Sequence, residues 1–189
     1  NGRKMSLSAL LEIEAKVTRY QDTSVVSDVV GADTLVIQQK RQSMRRVIGD
    51  KEEKLIVRET AEIREGSPNI EEILWYDASI RRRSCQLLEG RVQVKGEILV
   101  SVLYQTENGV QFVDHATEFA GLIDVTGAAD GMNTALQMDI VKTMLQVMPD
   151  SDSELRRIQM EMVVDCHVKV SVEEQRPLLA DAYDMAQEV

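Results

Sequence analysis

The sequence predicts an all-β fold, an antiparallel β-sandwich-like module with one short α-helix. Three observations point there. Apolar and polar residues alternate over long runs, which is the period of a strand with one buried face. Turn residues punctuate those runs at hairpin spacing. Hydrophobic residues make up 43% of the chain but aromatics only 4%, so the core must be built from Val, Ile, Leu and Met.

Taken in order, the first strands are expected at Leu35–Val47 and Leu55–Ile63, with Gly49-Asp50 as the turn between them. Ser67-Pro68 then offers an N-cap followed by Pro at the first helical position. Glu71 and Glu72 would sit at the positive end of the dipole. Ile70, Ile73 and Leu74 form a short apolar stripe, so the spacing predicts a helix over Pro68–Leu74. A strand follows at Ser79–Leu87, and Glu89-Gly90 turns the chain. Val92, Val94, Gly96, Ile98, Val100, Val102 and Tyr104 share one face of the next strand. Leu99 and Leu103 make its other face partly apolar, which predicts cover on both sides.

Asn108-Gly109 is the best hairpin signal in the chain, because both residues tolerate positive φ. It leads into a strand at Val110–Phe119. Gly121, Gly127 and Gly131 read as a loop. Over Leu136–Met148 the residues Leu136, Met138, Ile140, Met144 and Met148 share parity, which predicts a strand, although Leu136, Ile140 and Met144 also fit helical spacing. Pro149-Asp150-Ser151-Asp152 turns into the clearest strand of all. There Ile158, Met160, Met162, Val164, Cys166, Val168, Val170 and Val172 line one face, with only Val163 out of place on the other.

A chain of 189 residues can bury a core without staples. The net charge of −10 argues against wholesale nucleic-acid binding, which needs a basic face. No apolar run approaches membrane-spanning length, so no membrane insertion is expected. Cys85 and Cys166 stand far apart and are read as reduced thiols, since a disulfide scaffold would hold more cysteine.

The two ends of the chain resemble each other. Leu11, Ile13, Ala15 and Val17 match Val164, Cys166, Val168 and Val170, and Asp28 matches Asp181, so 11 to 164 and 28 to 181 share one offset. The reading is a tandem array. Residues 1–30 would be the closing strand and linker of a preceding copy, 31–183 a complete module, and 184–189 a tail. An orphan closing strand leaves unpaired edge groups. It is expected to dock on the complete module or to self-associate with another copy.

Several segments together resemble one family. They are Val47-Ile48-Gly49, Pro68 to Leu74, Leu88-Glu89-Gly90-Arg91-Val92 running to Val102-Leu103-Tyr104, Phe119, Ile123-Asp124-Val125 with Gly127-Ala128, and Asp181-Ala182-Tyr183. Their order and spacing resemble the SPOCS domain of endospore-forming bacteria over roughly residues 40–183. The pattern marks Gly96, Tyr104, Phe119, Gly127, Asp181 and Tyr183 as structural residues. Thr117-Glu118 and Val29-Val30 depart from it. The resemblance implies a non-enzymatic interaction module in spore-envelope assembly, working in the mother-cell cytoplasm at the forespore surface. The implied partners are spore morphogenetic proteins, including an ATPase that polymerises on that surface.

No catalytic constellation accompanies these features. His115 and His167 lack the neighbours and spacing of a metal site, and no cofactor is expected. Asp150, Asp152 and Glu154 alternate as calcium ligands do, but lack the glycine and the distal Glu of such a loop. Arg81-Arg82-Arg83 is the one candidate partner-binding patch. On a regular strand Arg81 and Arg83 would share a face, and Arg82 would point inward with Ala78 and Ile80. Pairing with nearby acids is the plainer reading; an anchor for an acidic partner is the functional one. The alternative function is a carbohydrate- or cell-wall-binding sandwich; such modules present aromatic platforms for sugar rings, whereas this chain has few aromatics, with Trp75 and Tyr76 beside the predicted helix.

Overall fold

Period-two alternation in the sequence becomes six long strands among the described residues. The structure, a computed structural model, describes residues 8–15, 17, 24–26, 28–29 and 35–184. The strands are β1 (Leu35–Glu62), β2 (Glu72–Leu88), β3 (Arg91–Thr106), β4 (Gly109–Asp124), β5 (Asn133–Met148) and β6 (Arg157–Asp184). They form two antiparallel three-stranded sheets, ordered β1-β6-β5 and β2-β3-β4. The described residues contain no helix.

The chain divides into two compact units, residues 1–42 with 177–189, and residues 43–176. In the first unit, residues 8–15 form no strand, and Leu11, Ile13 and Val17 are exposed. Their counterparts in the sequence repeat, Val164, Cys166 and Val170, are fully buried in β6. The Leu179 N–H donates to the Val26 carbonyl at 3.1 Å. These two residues stand at the same offset as Asp28 and Asp181. Of the tail at 184–189, residues 185–189 lie outside the described residues.

The second unit holds the core. β3 and β6 are the central strands of their sheets, and each buries its even-numbered face. Val92, Val94, Ile98 and Val100 of β3 are fully buried, as are Ile158, Met160, Met162, Val164, Cys166, Val168 and Val170 of β6. All belong to one hydrophobic cluster. Fully burying one such side chain contributes about 1.5–3 kcal/mol, so these faces are the main reason the sheets stay together. Burial pushes the Cys166 thiol up to about 11, and Asp165 and Glu53 add to the effect. Cys85 is exposed on β2, although partial burial still raises its thiol.

The hairpins follow the turn residues. Leu88 pairs with Arg91 around Glu89-Gly90, and Gly90 has φ 69°. Thr106 pairs with Gly109, which has φ 101°, so Glu107-Asn108 is the loop. The Thr106 hydroxyl donates to the Gly109 carbonyl at 2.8 Å and closes it.

Four expectations are corrected. First, Pro68–Leu74 is not a helix. The Ile70 N–H donates to the Leu155 carbonyl and the Glu71 N–H to the Gln105 carbonyl, both at 2.9 Å. Ile70 is buried in the core, so long-range pairing and burial override the local capping signals. Second, Gly49-Asp50 is not a turn, because β1 runs straight through it. A Cβ on Gly49 would lie 2.5 Å from Val125 Cγ1, so glycine there permits close packing. Third, Gly121 lies inside β4 rather than in a loop. Fourth, β5 is a strand as expected, but its parity changes part-way. Ile140 pairs with Val164 and Lys142 with Val163, leaving Val141 as an extra residue. Beyond it Thr143, Leu145 and Val147 oppose the buried β6 residues, and Met144 turns outward.

A ladder of cross-strand charges joins β1 to β6. Arg45 pairs with Glu173, Arg46 with Glu174, Arg58 with Glu161 and Glu62 with Arg157, at 2.6–3.2 Å. Asp50 meets His167 and Lys169 between them. Exposed pairs of this kind contribute little each, but opposite charges facing each other help to set register.

Candidate interaction surface

The outer face of sheet β2-β3-β4 can be read directly from its register, because directly opposed residues share a face. Trp75 opposes Leu103, which opposes Phe112, so these three make one row across all three strands. The next row is Asp77, Ser101 and Asp114. On the other side lie Glu72, Gln105 and Val110. Trp75 is 53% exposed and Phe112 is 56% exposed, although they are the sole tryptophan and one of two phenylalanines in the chain. Leu103 between them is half-buried. Leu99 and Leu103, the apolar residues of the other face of β3, are partly buried.

A bulge produces this arrangement. Ile73 pairs with Tyr104, but Trp75 pairs with Leu103, so Leu74 is an extra residue. Without it, Leu74 would oppose Leu103 and Trp75 would oppose Val102 on the other side of the sheet. Tyr76 stands on the opposite side of the sheet, still 43% exposed, and its hydroxyl donates to the Thr143 carbonyl at 3.4 Å.

A second bulge holds the arginine run. Arg81 pairs with Glu97 and Ser84 with Lys95, so Arg82 and Arg83 together face Gly96. Arg82 has φ 50°, a left-handed conformation that costs a non-glycine residue about 1–2 kcal/mol. The bulge turns Arg82 out to solvent, where it pairs with Glu97 at 3.2 Å. The expected inward-pointing Arg82 is therefore corrected. Arg81, Arg82 and Arg83 are all exposed on β2, an edge strand. Edge bulges of this kind re-aim side chains and blunt edge-to-edge pairing.

The remaining candidates are structural in their surroundings. His115 is half-buried on the inner side of β4, two residues from Thr117. The Thr117 hydroxyl donates to Glu59 at 3.0 Å. The Thr60 N–H and this hydroxyl hold the Glu59 carboxyl below its usual range against partial burial, and the charge of His115 adds to them. His167 rests against Asp50 on the outer face of β6. Tyr104 and Phe119 are buried on the inner face. Gly127 takes φ 85° in the β4–β5 loop. Asp181 and Tyr183 are exposed near the end of β6, where the Asp181 carboxylate accepts from the Ala182 N–H at 2.9 Å. No group of three or more metal-binding side chains is found among the described residues.

The acidic turn before β6 is built around a buried arginine. Arg156 is 8% exposed, and its Nε donates to Asp150 at 2.6 Å. The Asp150 carboxylate also accepts from the N–H groups of Asp152 and Glu154 at 2.9 and 3.0 Å. Burial alone would raise the Asp150 carboxyl, but those N–H groups and the Arg156 guanidinium hold it below its usual value. A depressed folded value means that its contribution to stability is present above the ordinary carboxylate range and is lost as pH falls through the folded value. Asp150→Asn is expected to lower the melting temperature at neutral pH, and the gap from the wild type should close below about pH 4. Melting curves across acid pH check this; a gap that stays constant would contradict it.

Residues 69–148 match the family model described as SipL, SPOCS domain. This segment belongs to the SPOCS domain family. The SPOCS match relates the chain to sporulation. It spans β2 through β5, so it contains the whole of sheet β2-β3-β4 with both bulges, and one edge strand of the other sheet. It is narrower than the resemblance traced over roughly 40–183. The central strand that pairs with β5 lies beyond the SPOCS match, and that strand supplies much of the buried core. No curated protein and no solved structure matches the chain.

Proposed function

We propose that this chain is a non-catalytic protein–protein interaction module in the assembly of the spore envelope. The observation that carries the reading is the SPOCS match over residues 69–148. An interaction role is supported by what the matched segment exposes: a tryptophan, a phenylalanine and three arginines, displayed around two bulges. The module works at the forespore surface on the mother-cell side, and its partners are spore morphogenetic proteins, including a polymerising surface ATPase. The sequence repeat extends this to tandem copies, which multiply one surface along an array.

Deleting the gene in a sporulating host and imaging thin sections tests the reading. Malformed coat, cortex or exosporium is the expected result. Normal layers in every section would refute it.

The exposure of Trp75 and Phe112 on one face also favours a second reading, a carbohydrate- or cell-wall-binding module. Affinity for a glycan in an array screen, abolished by Trp75→Ala, would select it.

A further inference from the structure

We infer that the Trp75–Leu103–Phe112 row is a docking site for a basic amphipathic segment of another protein, one in which apolar residues are interleaved with lysine or arginine. The inference rests on the interaction-module reading and names the surface and the partner chemistry.

Three observations converge. The first is the exposed apolar row itself. Tryptophan anchors are enriched among the residues that dominate protein interfaces, and contiguous exposed apolar surface marks interaction sites. The second is the bulge at Leu74. A regular β2 would put Trp75 on the other side of the sheet, opposite Val102, at the place Tyr76 holds. The extra residue sets it in line with Leu103 and Phe112 instead, and bulges that re-aim a side chain are associated with functional sites.

The third observation is the charge around the row. Asp77 and Asp114 flank it on one side and Glu72 on the other. Asp114 accepts from the Ser101 hydroxyl at 2.6 Å, which fixes one oxygen and leaves the carboxylate without a cation. Asp77, Asp114 and Glu72 have no ion pair among the described residues, in contrast to the charge ladder between β1 and β6. A partner segment that sets apolar side chains on Trp75 and Phe112 would bring its neighbouring side chains over these acids. Lysine or arginine there would be attracted, and glutamate or aspartate repelled.

The single tryptophan makes the test direct, because tryptophan emission, excited selectively over the tyrosines, reports this face. The 189-residue chain is titrated with a synthetic alternating Lys-Leu peptide, and with a Glu-Leu peptide of the same length. The Lys-Leu peptide should shift the emission to the blue with saturation, and the Glu-Leu peptide should not. Phe112→Ala, and Asp77→Asn with Asp114→Asn, should each weaken binding about tenfold. Glu52→Gln with Glu53→Gln, on β1, should leave it unchanged and so control for attraction to net negative charge. Circular dichroism melts verify that each variant is folded.

Equal binding by all variants would overturn the inference. So would a saturable response to chitin or peptidoglycan oligosaccharides that survives Asp77→Asn with Asp114→Asn and exceeds the response to the peptide. Failure here leaves the envelope phenotype of a gene deletion intact, and a normal envelope leaves the peptide titration intact, so the two claims fail separately.

Discussion

Met162→Ala is expected to lower the unfolding free energy by about 2–5 kcal/mol, whereas Met144→Ala should change it by less than about 0.5 kcal/mol. Met162 is fully buried on β6, between Met160 and Val164 on the same face, and opposite Thr143 of β5. Removing its thioether chain leaves a cavity at the centre of the sheet, where neighbours on two adjacent strands cannot collapse fully into the space. Met144 is the neighbour of Thr143 in sequence but points the other way and is 43% exposed. The pair is informative because the two residues are chemically identical. Urea unfolding with an unchanged slope gives the difference directly. Similar losses in both variants would mean that the bulge at Val141 does not exist and that β5 keeps a single parity throughout.

Gly96→Ala is the second large effect, at a cost of about 1–3 kcal/mol. Gly96 lies in β3 directly opposite Phe119 of β4. A Cβ there would stand 2.7 Å from Phe119 Cε1 and 2.8 Å from Cζ, with Ile80 Cγ2 at 3.4 Å. The ring therefore lies across the glycine, as aromatics do when they cover a glycine in a neighbouring strand. Phe119 is 8% exposed and packed in the core, so it has little room to retreat. Phe119→Leu vacates part of the contested space. In the Gly96→Ala background it should recover some of the loss, although alone it destabilises. A double-mutant cycle measures the coupling. Strict additivity of the two changes would show that the ring and the glycine do not touch.

The sequence was most legible where one face of a strand is wholly buried. In β3 and β6 the even-numbered residues alternate almost without interruption, and the structure buries them. The turns at Gly90 and Gly109 were legible because positive φ selects few residue types. The row of Trp75, Leu103 and Phe112 was not legible as a row. Its members come from three strands, and only the register brings Phe112 and Leu103 beside Trp75. The arginine run was visible, but its display was not, since reading it on a regular strand turned Arg82 inward.

By itself, then, the sequence determined that this chain is built of strands, which faces of its two central strands are apolar, that it turns at Glu89-Gly90 and beside Gly109, and which family it resembles over roughly residues 40–183. Tertiary structure decided the rest. It extended Pro68–Leu74, because Leu155 and Gln105 offer carbonyls that a local helix would forgo. It ran β1 through Gly49, because Val125 needs the space. It placed bulges at Leu74, at Arg82-Arg83 and at Val141. Side chains on a strand alternate with a period of two, so one extra residue reverses every orientation beyond it. Where that residue falls depends on the partner strand, and for that reason the exposure of Trp75 was decided by pairing rather than by local sequence.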